Sequence, residues 1–294
     1  MALTFSLVTL AILALWLKSD EATPTSVAPV FDWRYGWKIL VVASVGAALW
    51  ARIVFPAGVA WLALTAAVAW FFSRAPNRGM KWASGLALFA LAAALMSHAF
   101  PGFSNPRVIS AIRFRTDAIP FTLYLNFDKA IAGIFLLGFC HPLLARAADW
   151  RTMFAKATPW MPVVLVLILV PSLLAGYVRF EPGFPPEAWL WMWANLFLTC
   201  VAEEAICRGL LQRRLQLAWE NFPGGRLLAL ALAATVFGVA HSSGGPMYVA
   251  LATVAGLGYG WVYQQTGRIE ASILTHFSVN AVHFFFFTYP ALQR

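Results

Sequence analysis

Charge is scarce in this sequence. Asp, Glu, Lys and Arg make up 11% of its 294 residues, where an ordinary soluble domain carries about a quarter. So little charge cannot clothe a water-exposed surface, which argues against a soluble fold and makes lipid the natural solvent. Cysteine is scarce as well. Cys140, Cys200 and Cys207 form neither a CxxC pair nor an even set, which argues against a disulfide framework or a thiolate metal site. All three sit in apolar runs and are expected to pack as small hydrophobes. There is no internal repeat, no low-complexity tract and no HExxH pair.

Apolar residues supply 61% of the chain, with 14 Trp and 24 Phe and a mean hydropathy of +0.72. That suits contact with acyl chains and with the aromatic belt at the lipid–water boundary. A net charge of +9 invites a nucleic-acid reading. The basic residues, however, fall in short clusters between apolar runs, which is the pattern of cytoplasmic loops and not of a nucleic-acid footprint.

Apolar runs lie at 2–17, 39–53, 57–72, 82–100, 130–145, 160–177, 189–207, 227–241, 248–264 and 270–288. They predict an all-α fold, a polytopic membrane bundle of about 8–10 transmembrane helices. Arg52 and Pro56 interrupt the second pair of runs. The first run lacks a basic start and a small-residue cleavage site, so a retained helix is expected there. Arg74, Arg78 and Lys81, then Arg146, Arg151 and Lys156, then Arg213, Arg214 and Arg226, and finally Arg268 mark one side of the bundle as cytoplasmic. The Pro-rich stretch Glu181–Glu187 cannot be helical, and it delivers Trp189, Trp191 and Trp193 to an interface. Residues 112–117 alternate in the manner of a strand or interfacial segment. The chain divides into residues 1–125, membrane helices of unassigned role, and residues 126–294, where the chemistry gathers.

Charged residues inside apolar runs are costly and need a partner or a purpose. The seventh run ends Thr199-Cys-Val-Ala-Glu203-Glu204-Ala-Ile-Cys-Arg208. Neighbours on a helix diverge by about 100°, so Glu203 and Glu204 point to different places. Glu204 and Arg208 are four apart in the favourable acid-first order. Glu203 has no basic residue at that spacing and is expected to stand apart from the ion pair. A carboxylate in a low-dielectric site is then a candidate general base. The eighth run ends Phe237-Gly-Val-Ala-His241, and the last contains His276-Phe-Ser-Val-Asn280, whose two polar side chains share one helix face. His98 and His141 read as packing residues that hydrogen-bond between helices, and His283, inside a run of aromatics near the chain end, reads as structural.

These three patterns together resemble the CAAX protease and bacteriocin-processing (CPBP, or Abi) family of intramembrane endopeptidases. The family's EExxxR, FxxxH and HxxxN motifs read here Glu203-Glu204-Ala-Ile-Cys-Arg208, Phe237-Gly-Val-Ala-His241 and His276-Phe-Ser-Val-Asn280. The resemblance covers about residues 187–288 and resembles the type II CAAX prenyl endopeptidases in particular. It implies that Glu203 and His241 activate a water, that His276 and Asn280 hold the oxyanion, and that Glu204 with Arg208 braces the helix. It also implies a glutamic-type peptidase with no cofactor and no metal, acting on a peptide near its C-terminus or at a membrane-proximal linker. The expected partners are the lipid bilayer and a membrane-associated peptide, with no nucleic acid, and the expected location is a bacterial inner membrane.

Three rival readings stay open on the residues alone. A zinc enzyme would draw ligands from Glu203, Glu204, His241 and His276, although Arg208 beside the acids opposes a cation. A proton- or cation-coupled transporter would use the same acids and histidines as a relay. An inactive scaffold or immunity protein of the same family is the third.

Overall fold

The computed structural model describes residues 1–17 and 35–293. About 71% of the described residues are helical, and the one sheet among them has two strands, so the all-α expectation holds. The helices are α1 (Ala2–Ala14), α2 (Gly36–Trp50), α3 (Pro56–Arg74), α4 (Arg78–Met96), α5 (Phe127–Cys140), α6 (Ala147–Ala157) and α7 (Trp160–Leu174), followed by α8 (Ala188–Ala218) and by α9 (Gly225–Val239), α10 (Gly245–Thr266) and α11 (Ile269–Phe286).

By length and composition α3, α4 and α8 can each cross a bilayer. Two further spans arise if α6 with α7, bent by 46°, and α9 with Ser242–Thr266, bent by 57°, each count as one. Helices α1 and α2, at 13 and 15 residues, are apolar but shorter than a full crossing. The chain is an integral membrane protein, and its apolar runs become helices close to where the hydropathy pattern placed them.

Contacts gather into two compact units that interleave along the chain. The first comprises Met1–Pro106, Asn126–Arg151 and Phe197–Leu210. Its centre is α5. Every residue from Phe127 to Leu137 except Lys129 is buried, which is what a helix apolar on all sides demands. Helices α1, α3 and α4 pack on α5, and so does Val201–Glu204 of α8. A Cβ on Gly133 would lie 2.8 Å from the Cα of Ala202, so the two helix backbones nearly touch there. As expected, the chain breaks at Arg52 and restarts at Pro56, the first residue of α3. Proline there sacrifices no hydrogen bond and presets φ.

The second unit comprises Arg107–Leu125, Thr152–Leu196 and Leu211–Arg294. Its hairpin pairs β1 (Arg107–Ile112) with β2 (Phe121–Tyr124). The strand therefore ends at Ile112, where the 112–117 alternation begins, and the rest of that segment lies in the connection. There the Arg115 Nε donates to the Glu181 carbonyl at 2.8 Å. Glu181–Pro185 is non-helical, as its prolines require. Trp189 is 71% exposed and Trp191 only 1%. Trp191 is thus a core residue and not an interfacial one, because positions two apart on a helix face different ways. It stacks on Phe284 with ring centroids 4.0 Å apart. The basic clusters are corrected as well. Arg151 and Lys156 lie in α6, Arg74 ends α3, and Arg78 and Lys81 open α4. Arg213 and Arg214 lie in α8 and Arg226 in α9, so these charges sit in or at the ends of helices and not in loops. Of the cysteines, Cys200 and Cys207 are buried and Cys140 is half-buried, all as thiols.

The near-contact at Gly133 generates a stability prediction. Gly133→Leu should cost about 1–3 kcal/mol through overpacking, read as a lower melting temperature in detergent. Gly46→Leu on α2, where an added Cβ meets no atom within 4 Å, should melt with the wild type.

Candidate active site

Helix α8 carries the paired acids at its midpoint, with Glu203 equidistant from Ala188 and Ala218. Its winding is irregular. Ala194–Cys200 and Ala205–Gln212 follow the wider π-helical course, and Val201–Glu204 between them is α-helical. Such π segments are rare and cluster at functional sites. Nothing in the residue pattern announces them.

In the first unit the structure brings Glu203, Glu204 and Arg208 into two ion pairs. Glu204 and Arg208 are both fully buried. The Arg208 Nη1 donates to the Glu204 Oε1 at 3.2 Å, and Nε lies 3.2 Å from Oε2. The pairing expected from the i, i+4 spacing is therefore present. The expectation that Glu203 stands apart from any ion pair is corrected. Lys129 Nζ donates to the Glu203 Oε1 at 2.6 Å, with the two side chains 12% and 16% exposed. An ammonium within hydrogen-bond reach supplies the counter-charge that a low-dielectric site requires.

Lys129 was not singled out in the sequence. It lies beside Asp128 just before the 130–145 apolar run, and two adjacent charges at the start of a buried helix are its signal. Its partner is 74 positions away, which no spacing rule reaches. Asp128 is fully buried and has its own partners. His98 Nδ1 lies 2.7 Å from Oδ2, and Asn105 Nδ2 donates to Oδ1 at 2.9 Å. His98 therefore joins its loop to α5, a polar link of the kind expected for it.

In the second unit the structure brings His241 and His276 onto a shared aromatic ring, and Asn280 follows His276 by one turn on α11. His241 follows the end of α9, where the last carbonyls have no helical partner. Its Nδ1 lies 2.7 Å from the Phe237 carbonyl oxygen. A carbonyl only accepts, so Nδ1 carries the proton, and in the neutral ring Nε2 is the nitrogen with the lone pair. The FxxxH spacing thus has a direct cause: four residues back is the carbonyl that fixes the imidazole tautomer. The Phe237 ring also touches both histidines, with centroids 4.6 Å from His241 and 5.7 Å from His276.

His276 is buried and stacks on Tyr259 of α10 at 4.5 Å and 16°. One turn earlier on α11, Ser272 donates to the Tyr259 carbonyl at 3.0 Å, so α11 is keyed to α10 just below the histidine. Asn280, one turn beyond, donates from Nδ2 to Asn195 Oδ1 at 3.2 Å. Asn195 is a second residue the motifs do not name, although an amide inside an apolar run is its signal. Small residues let these helices close up. A Cβ on Gly238 would lie 2.9 Å from the Val249 carbonyl oxygen, and one on Gly256 3.0 Å from the Ala234 Cα, the close backbone approach that small residues permit in membranes. His283 packs against Tyr289, with centroids 5.1 Å apart. Among the described residues, no three His, Cys, Asp or Glu side chains gather into a metal-ligating cluster.

Residues 185–282 match the protein-family model described as Type II CAAX prenyl endopeptidase Rce1-like. The match contains all three motifs and bears out the resemblance drawn from them. A search of curated proteins and a search of solved structures found no match.

The buried Glu204–Arg208 pair has a consequence for stability. Arg208→Met leaves a buried carboxylate without its cation and should destabilise by about 3–5 kcal/mol. The double variant Glu204→Gln/Arg208→Met should recover most of that. Both effects are read from melting of purified protein in detergent.

Proposed function

We propose, with the Rce1-like match over residues 185–282 as the premise, that this chain is an intramembrane endopeptidase of the glutamic type. In this reading Glu203 accepts a proton from water while His241 orients that water through Nε2. His276 and Asn280 donate to the oxyanion of the tetrahedral intermediate. Fixed donors in a dry site stabilise such an intermediate strongly, with each donor worth about 10²–10³ in rate. Glu204 and Arg208 brace α8.

The observation that carries the reading is that one matched segment contains an acid, two histidines and a carboxamide on membrane helices, with the tautomer of His241 already set for a role through Nε2. The chemistry agrees with these residue types. A carboxylate takes the proton, an imidazole passes it to the leaving amine, and amide and imidazole N–H groups meet the developing charge. The proposed substrate is a membrane-associated peptide, cut near its C-terminus or at a membrane-proximal linker, where the chain is extended and open to attack. A prenylated tail is the substrate class that the family description suggests. The proposed seat is the bacterial inner membrane, with the basic clusters on the cytoplasmic side.

The deciding experiment compares peptide termini in native membranes containing wild-type protein or Glu203→Gln at matched expression. The variant keeps size and hydrogen bonding and removes the base. New termini should appear with the wild type and vanish with the variant. Identical profiles would overturn the protease reading and leave ion-coupled transport or scaffolding in its place.

A further inference from the structure

We propose that Lys129 is a positioning residue for the Glu203 carboxylate, delivered by α5 to hold the acid in its working orientation. This rests on the protease reading above and extends it to a residue outside the matched segment. Neighbouring acids on one helix diverge, and here each has been given its own cation. Glu204 takes Arg208 from its own helix, fully buried and remote from solvent. Glu203 takes Lys129 from α5, and this pair retains partial exposure, 12% and 16%. The first pair is built to brace. The second leaves the acid accessible while tying one of its oxygens down.

Three features show that α5 is shaped for this delivery. The first is that its leading turn is fixed: Asn105 Oδ1 accepts the Phe127 N–H at 2.8 Å. The second is that Asp128, the acid nearest to Lys129, is occupied elsewhere. His98 and Asn105 hold its two oxygens, and the Lys129 backbone N–H donates to Oδ1 at 2.9 Å. The ammonium is thereby left to the acid on α8. The third is Gly133, one turn further along, which lets the α5 backbone approach Ala202, the residue immediately before Glu203. A lysine stem is long and costly to order, and anchoring its backbone on both sides of the contact reduces that cost.

The test uses full-length protein in phosphatidylcholine vesicles and a synthetic peptide spanning a wild-type-dependent terminus from the membrane comparison. Lys129→Met should lower kcat by about 10²-fold with KM held within about twofold, as expected when a reacting group is misplaced but substrate binding is not. Lys129→Arg should restore at least about tenfold of the loss, because it returns a cationic donor. If Lys129→Met does not fold in detergent, Lys129→Gln, which keeps a donor without the charge, is measured in its place against the same expectation. A folded variant with wild-type kcat, or one whose loss lies in KM, overturns the positioning role and leaves the protease reading intact. A wild type that yields no termini and cuts no peptide overturns both, and that failure is seen in the wild type before any lysine variant is made.

Discussion

A carboxylate carried into a membrane helix has to be met by a cation, and much of this protein is arranged around that demand. Leaving one partner of a buried pair uncompensated costs about 3–5 kcal/mol, comparable with a large part of a domain's net stability. Helix α8 places two such carboxylates side by side at its midpoint. One is answered within the helix by Arg208 and the other by Lys129 from α5. The second answer requires a helix buried on nearly every face, with a lysine at its start and a glycine one turn on where the backbones approach. Buried ion pairs are weak contributors to net stability, because desolvation offsets most of the attraction. Their effect here is placement. They restrict which stretch of α8 faces α5 and at which register.

The second unit meets the polar requirement with aromatic rings. His241 and His276 lie against Phe237, and Tyr259 stacks on His276. An imidazole in an apolar setting needs a partner for its N–H, and His241 finds one in the Phe237 carbonyl near the end of α9. The break between α9 and α10 therefore has two consequences. It bends the pair by 57°, and it brings the His241 ring to the Phe237 carbonyl that selects the tautomer. The motif phenylalanine contributes both its ring and its backbone, so FxxxH is a physical unit and not merely a spacing.

The match to the Rce1-like model covers α8 to most of α11. Lys129, Asp128, His98 and Asn105 all lie outside it. An account of the acid drawn from the matched segment alone would stop at Glu203 and would miss the cation that faces it. The helices before residue 126 thus have a physical tie to the chemistry through the packing of α3 and α4 on α5, although they carry none of the motifs.

Composition and hydropathy alone determined that this protein lives in lipid and is helical, because 11% charged residues cannot clothe a water-exposed surface and long continuous apolar runs satisfy their backbone in lipid as helices. Local spacing also determined the Glu204–Arg208 pair, the shared face of His276 and Asn280, and the restart of the chain at Pro56, since each depends on residues within one helical turn. Tertiary structure decided what spacing cannot reach. The Lys129–Glu203 pair joins residues 74 apart, and the Asn195–Asn280 bond joins residues 85 apart. The burial of Trp191 beside exposed Trp189 depends on which side of α8 meets Phe284. Periodicity reads the faces of one helix at a time, and only packing determines which other helix each face will meet.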